Sequence, residues 1–239
     1  MGSTGKASNV VQTVITPDGI KIGVGDYLLY GKDSGHAPMP KSVIDFENKR
    51  KFAKIEFGLI TKVDGTALEE KRGSKGRVAL SRNAFLSGDI MTHNHPRTGD
   101  EESFLGGTFS FQDLDVLSRS NIRTLRAATN EGTYSLSRGS GFNGVGLAQA
   151  YNQFETTQQN AFSTARDAVY QKFVPIVSKI KADYHNGKIT YTEVKSKLQE
   201  QKNQYLNEIK TLANKDLIDA HNWLLANQKK YGYTYGLER

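Results

Sequence analysis

In MTHNHP, residues 91–96, two histidines stand two positions apart, and Ser-x-x-Asp follows at 110–113. On a strand, residues i and i+2 project to one side, so His93 and His95 aim both imidazoles the same way and Asn94 points the other. Pro96 has no N–H to continue a ladder and turns the chain out into a loop. Asp113 falls on the same face of a first helical turn as Ser110, three residues earlier. If that helix end packs beside the strand end, His93, His95 and Asp113 offer two neutral nitrogens and one carboxylate oxygen. This is the ligand set of a catalytic zinc site that keeps one position open. The chain has no cysteine, so a tightly held metal must use His and carboxylates.

A zinc ion lowers the pKa of its water to about 7, and a nearby carboxylate outside the ligand set can take the proton and return it to a leaving amine. Glu56, within IEFGLI, is the candidate base, with Glu47 as its substitute if the strand register differs. Ser110 could donate to the oxyanion of an attacked carbonyl. A plainer reading runs beside this one. His-x-His alone is a polar strand end, and Ser110 with Asp113 is a variant capping box whose acid suits the helix dipole.

Together, the strand glutamate Glu56, the HNHP of 93–96 and the SFQD of 110–113 resemble the JAB/JAMM (MPN-type) metalloprotease pattern, most closely the modules of phage and mobile-element proteins. The resemblance covers about residues 42–138. It implies an α+β fold with a curved β-sheet flanked by helices, Zn2+ on His93, His95 and Asp113, Glu56 as acid/base, Ser110 at the oxyanion, and hydrolysis of a peptide or isopeptide bond. Pro96 to Gln112 spans seventeen residues, seven more than is usual in that family. A surface loop absorbs such an insertion at small entropic cost, and the excess, which falls within RTGDEESFLGG, would sit at the rim of a substrate groove as a lid or a block.

The elements that must position these residues read as follows. NVVQTVITPDGIKIGVGDYLLYG, 9–31, is a hairpin turning at Thr16-Pro17-Asp18-Gly19, and 31–40 is loop. Ser42 to about Lys51 is a short helix with Val43 and Phe46 inward. Residues 53–61 form a strand, with Glu56 on its less apolar face, and the turn Val63-Asp64-Gly65 leads to a second strand at 77–81. DIMTH, 89–93, is the third strand. Ser110 opens a helix carrying Phe111, Leu114 and Leu117, and TLRAAT and TYSLSR form a hairpin around Asn130-Glu131-Gly132.

Beyond this the composition changes. RGSGFNGVG, 138–146, holds four glycines in nine residues. Its Gly139-x-Gly141-x-x-Gly144 matches a dinucleotide fingerprint only in letters, because the preceding strand closes a hairpin rather than opening a βαβ unit. The division expected is 1–40 for an N-terminal hairpin and loop, 41–138 for the metal-binding domain, 139–146 for a hinge and 147–239 for a helical region. Within that region a helix from 147 to about 186 is kinked or divided at Pro175. Thr190 to Glu193 is a capping box opening an amphipathic helix through Leu212, and a last helix runs from Lys215 to about Lys229 before the tail YGYTYG. His36, His185 and His221 read as surface or packing residues.

A net charge of +7 is compatible with an acidic partner, nucleic acid included, but the lysines and arginines are spread over solvated faces rather than gathered in a patch. No apolar run is long enough for a membrane, and MGSTGKASN lacks a secretory apolar core. The expectation is therefore a cytoplasmic zinc hydrolase acting on a protein or peptide, with partner binding through the C-terminal helices. The rival is a non-catalytic binding or structural module of phage-assembly type, its site closed by the enlarged loop.

Overall fold

The computed structural model describes residues 13–15, 21–23, 39–96, 107–129 and 132–238. Two short strands, β1 (Thr13–Ile15) and β2 (Lys21–Gly23), pair antiparallel with Val14 opposite Ile22. They are the predicted hairpin, whose turn lies outside the described residues, as does most of the loop at 31–40.

A six-stranded mixed sheet forms the centre of an α+β fold. Its strands are β3 (Phe57–Thr61), β4 (Ala67–Arg72), β5 (Ile90–Asn94), β6 (Thr124–Ala128), β7 (Thr133–Arg138) and β8 (Tyr233–Glu238), in the order β4-β3-β5-β6-β7-β8. Only β5 and β6 run parallel, joined by a crossover through α3 (Phe111–Arg119). Helix α1 (Lys41–Arg50) lies on one face and buries Val43 and Phe46. On the other face α3, α4 (Gly144–His185) and α5 (Tyr191–Tyr231) enclose the main apolar core, which includes Ile60, Met91, Leu114, Leu125, Leu136, Tyr151, Leu224 and Tyr235.

Strand alternation assigns the faces. Thr92 of β5 and Arg126 of β6 are register partners on the α1 side. Arg126, 1% exposed, donates to Glu47 of α1 (Nε to Oε1, 2.6 Å; Nη2 to Oε2, 3.0 Å) and to Glu238 of β8 (Nη1 to Oε1, 2.9 Å; Nη2 to Oε2, 2.7 Å). The hydroxyls of Thr92 and Thr133 add hydrogen bonds to Glu47. One guanidinium thus ties a helix, a central strand and the C-terminal edge strand together, with both carboxylates held in fork geometry.

Several expected elements differ. The stretch 77–81 is no strand. It is an extended segment leading into α2 (Arg82–Ser87), capped by Ser81, and Val78 and Leu80 pack so close over Gly58 that a Cβ there would lie 3.0 Å from each. The partner of β3 is instead the charged ALEEKR of β4, an edge strand with no alternation to read because most of it is exposed. Pro175 does not divide the helix: α4 runs unbroken through it, 42 residues in all, with the proline exposed. The two C-terminal helices are a single α5 of 41 residues, opened by the Thr190–Glu193 capping box and closed by Gly232 at φ +69°. That left-handed turn sends the aromatic tail back as β8, and Tyr233, Tyr235 and Leu237 enter the core. In the stretch read as a hinge, Gly139 donates to the Gly232 carbonyl and Asn143 to that of Tyr231. No helix among the described residues is long and apolar enough to cross a membrane.

Candidate metal centre

Strand register brings the chemistry together. Gly58 of β3 lies opposite His93 of β5, and directly opposed residues share a face, so Glu56, two positions before Gly58, lies on the His93 side. His95, just past β5, donates its main-chain N–H to the Ala128 carbonyl. That bond extends the pairing with β6 by one step and keeps both imidazoles on one face. Asp113 arrives from the first turn of α3, where Ser110 caps the helix.

His93 Nε2 lies 2.8 Å from His95 Nε2 and 3.2 Å from Asp113 Oδ1, and His95 Nε2 lies 3.8 Å from Asp113 Oδ2. Among the described residues this is the group of three whose ligand atoms lie within 4.8 Å of one another. Bonds of about 2.0–2.1 Å at tetrahedral angles place ligand atoms about 3.3 Å apart, and the observed separations bracket that value. The donor set of two imidazoles and one carboxylate therefore fits zinc.

Two of the three candidate ligands are also held from behind. The Nδ1–H of His95 donates to the Gly107 carbonyl at 2.8 Å, which fixes the tautomer with the Nε2 lone pair facing the centre. Asp113 Oδ2 accepts from the main-chain N–H of Ser110 and from its hydroxyl, both at 2.8 Å, leaving Oδ1 toward His93. His93 Nδ1 is buried without a partner in hydrogen-bonding geometry; the Arg126 main-chain carbonyl is the neighbour that favours its protonation.

The three groups are strongly coupled electrostatically. Burial disfavours a charged His93, but the charge and hydrogen bond of Asp113, with Glu56 behind, outweigh it and raise the His93 pKa. His95 is pushed down to about 4 by burial and by the charge of His93. Burial opposes ionisation of Asp113, yet His93, His95 and the Ser110 N–H hold its carboxyl well below the usual range. The two imidazole Nε2 atoms and Asp113 Oδ1 thus face one common point.

Glu56 titrates above the ordinary glutamate value, because burial and the charge of Asp113 outweigh His93 and the hydrogen bond from the Val78 N–H. Its backbone is locked on both sides. Glu56 donates to the Ser74 carbonyl at 2.7 Å and accepts from Gly73 at 2.8 Å. Across the sheet, Asn94, fully buried, accepts from the Phe57 N–H at 2.7 Å and donates to the Ile55 carbonyl at 3.0 Å. The asparagine between the histidines thus mimics a peptide unit, prolonging the β3–β5 ladder across Glu56. Sequence reasoning pointed Asn94 away from the histidines and gave it no task, whereas its side chain bonds the β3 main chain. The available signal was that a buried carboxamide at a strand end must find main-chain partners.

All five predicted residues lie in this neighbourhood. His93, His95 and Asp113 converge, Glu56 shares their face, and Ser110 abuts Asp113 with its hydroxyl proton directed at the carboxylate. Glu47, the substitute base, lies on the opposite face with Arg126. The lid expected at 97–107 lies outside the described residues except for Gly107. Comparison of the chain with protein-family models, curated proteins and solved structures finds no match.

Proposed function

We propose that the protein is a zinc-dependent hydrolase of peptide or isopeptide bonds, of the JAB/JAMM kind that its HNHP and Ser-x-x-Asp residues resemble. The observation that carries this reading is the convergence of His93, His95 and Asp113, from a strand end and a helix start, within 4.8 Å. A bound zinc would supply Lewis acidity toward a carbonyl oxygen and toward water.

The residues divide the remaining work. His93 and His95 present nitrogen lone pairs once His93 has given up its proton, and Asp113 presents Oδ1. Glu56, its pKa raised by burial, is placed on the face of the centre to take a proton from water and pass it to the departing amine. Asn94 and Val78 hold Glu56 in place. Ser110 orients Asp113 in this arrangement, and its hydroxyl would have to turn away from Oδ2 to meet a carbonyl oxygen.

The test is cleavage of a mixed library of internally quenched peptides by the zinc-loaded protein, alongside Glu56→Gln. The expectation is turnover that a chelator abolishes and zinc restores, with Glu56→Gln retaining zinc and losing at least about a hundredfold in rate. Chelator-insensitive turnover, or full activity in Glu56→Gln, would overturn the proposal. Zinc binding with no turnover of any peptide or isopeptide-linked substrate would favour the non-catalytic module.

A further inference from the structure

Helices α4 and α5 are far longer than the sheet requires. At 1.5 Å per residue each spans about 60 Å, yet between Phe154 and Asn214 only Phe173, Ile180, Val194 and Ile209 are buried apolar residues. Lys172 pairs with Glu208 and Phe173 meets Tyr205 edge to face, which fixes the antiparallel register of this hairpin. Two stripes then share one side: Tyr170, Val174, Val177 and Lys181 from α4, and Leu198, Gln201, Lys202 and Tyr205 from α5. They line a groove of about 420 Å³.

Four features define what the groove would take. Its floor is apolar and open, with Tyr170 55% and Val174 36% exposed. From Tyr170 to Lys181 is three helical turns, the length over which a docked helix presents anchors at i, i+4 and i+7. Its charges are Lys181 and Lys202 with no acidic residue in the lining, and neither lysine forms an ion pair among the described residues. Residues 166–210 carry nine Lys and Arg against five Asp and Glu, so a second copy of the same hairpin would be repelled. Finally, Gln201 Oε1 is buried without a hydrogen-bond partner, an acceptor that an occupant could satisfy.

We propose that this groove is the docking site for a three-turn amphipathic helix of a protein partner, apolar toward Val174, Val177 and Leu198 and acidic toward Lys181 and Lys202. The site shares no residue with the candidate metal centre and stands whether or not that centre is catalytic.

The test uses the full chain and two synthetic eighteen-residue helical peptides, each with leucines at i, i+4, i+7 and i+11, one otherwise rich in Glu and one in Lys, read by fluorescence anisotropy. The Glu peptide should bind saturably and at least about tenfold tighter than the Lys peptide. The doubly reversed Lys181→Glu/Lys202→Glu protein should lose that preference, and Val177→Ser should weaken the Glu peptide several-fold. Lys229→Glu/Lys230→Glu, away from the groove, should leave it unchanged. All variants change surface or partly exposed positions, so far-UV circular dichroism should match the parent. Equal binding of both peptides, an equal loss in the Lys229/Lys230 variant, or sedimentation showing that the groove is covered by a second copy would overturn the proposal.

Discussion

Replacing Asn94 with Ala removes the carboxamide that joins β5 to the main chain on either side of Glu56. Two hydrogen bonds go, and the Phe57 N–H and Ile55 carbonyl, both partly buried, lose their partners. Leaving such a group unsatisfied costs about 1–3 kcal/mol, and partial access to water places the pair at about 2–4 kcal/mol in total. For a chain of this size that corresponds to a fall in melting temperature of about 5–15 °C. Asn94→Asp should be at least as damaging, because it keeps an acceptor for Phe57 but sets a carboxylate against the Ile55 carbonyl. The three candidate metal ligands lie on the opposite face, so zinc affinity should stay within a few-fold of the parent while the rate of any Glu56-dependent reaction falls. Urea unfolding monitored by Trp223 fluorescence, with zinc titration of the same samples, measures both. A loss below about 0.5 kcal/mol, or loss of zinc binding as complete as in His95→Ala, would refute the role given to Asn94.

Two further perturbations test the frame around the centre. Arg126→Met should cost about 3–5 kcal/mol by chemical denaturation, because Glu47 is left buried without its partner. Arg126→Lys should recover little, since one ammonium cannot form both carboxylate forks. His221 is buried against Tyr134 and Tyr235, with Nδ1 2.9 Å from the Tyr235 hydroxyl, and burial pushes its pKa down to about 4. A depressed folded value means that the unfolded chain binds the extra proton. His221 therefore contributes no penalty above its unfolded pKa near 6.5, and stability drains away as pH falls from there toward 4. Between about pH 7.5 and pH 5 the loss from this residue is about 2 kcal/mol. It should be absent in His221→Phe when the two proteins are compared by urea midpoint at each pH, and an equal acid-induced drop in both would reject it.

The candidate centre was legible because its parts are local. His-x-His needs only strand alternation, and Ser110 to Asp113 needs only the geometry of a helical turn. The start of α5 announced itself through the Thr190–Glu193 capping box, but its length did not, because the sequence reads two helices where α5 is one. What escaped depends on distant context. RVALS has the composition of a strand, yet its valine and leucine are used to cover Gly58. ALEEKR has the charge of a loop, yet an exposed edge strand needs no apolar face. Pro175 breaks a helix by local rules, but here its ring faces solvent within a turn held by Phe173 and Ile180. The alternation of Tyr233, Tyr235 and Leu237 was a strand signal in plain sight, masked by its position at the end of a helical region. The Arg126 clamp joins residues 47, 126 and 238, and only a folded sheet brings those together.

The central claim is that two imidazoles and one carboxylate form a binding site for a single zinc ion. Mass-spectrometric metal analysis of the chain, stripped with chelator, reloaded with zinc and freed of excess by gel filtration, tests it most directly. The account predicts about one zinc per chain in the parent and in Glu56→Gln, and none in His95→Ala or Asp113→Ala, with folding of each checked by circular dichroism. A folded parent that retains no zinc, or substitutions that leave its zinc content unchanged, would contradict it.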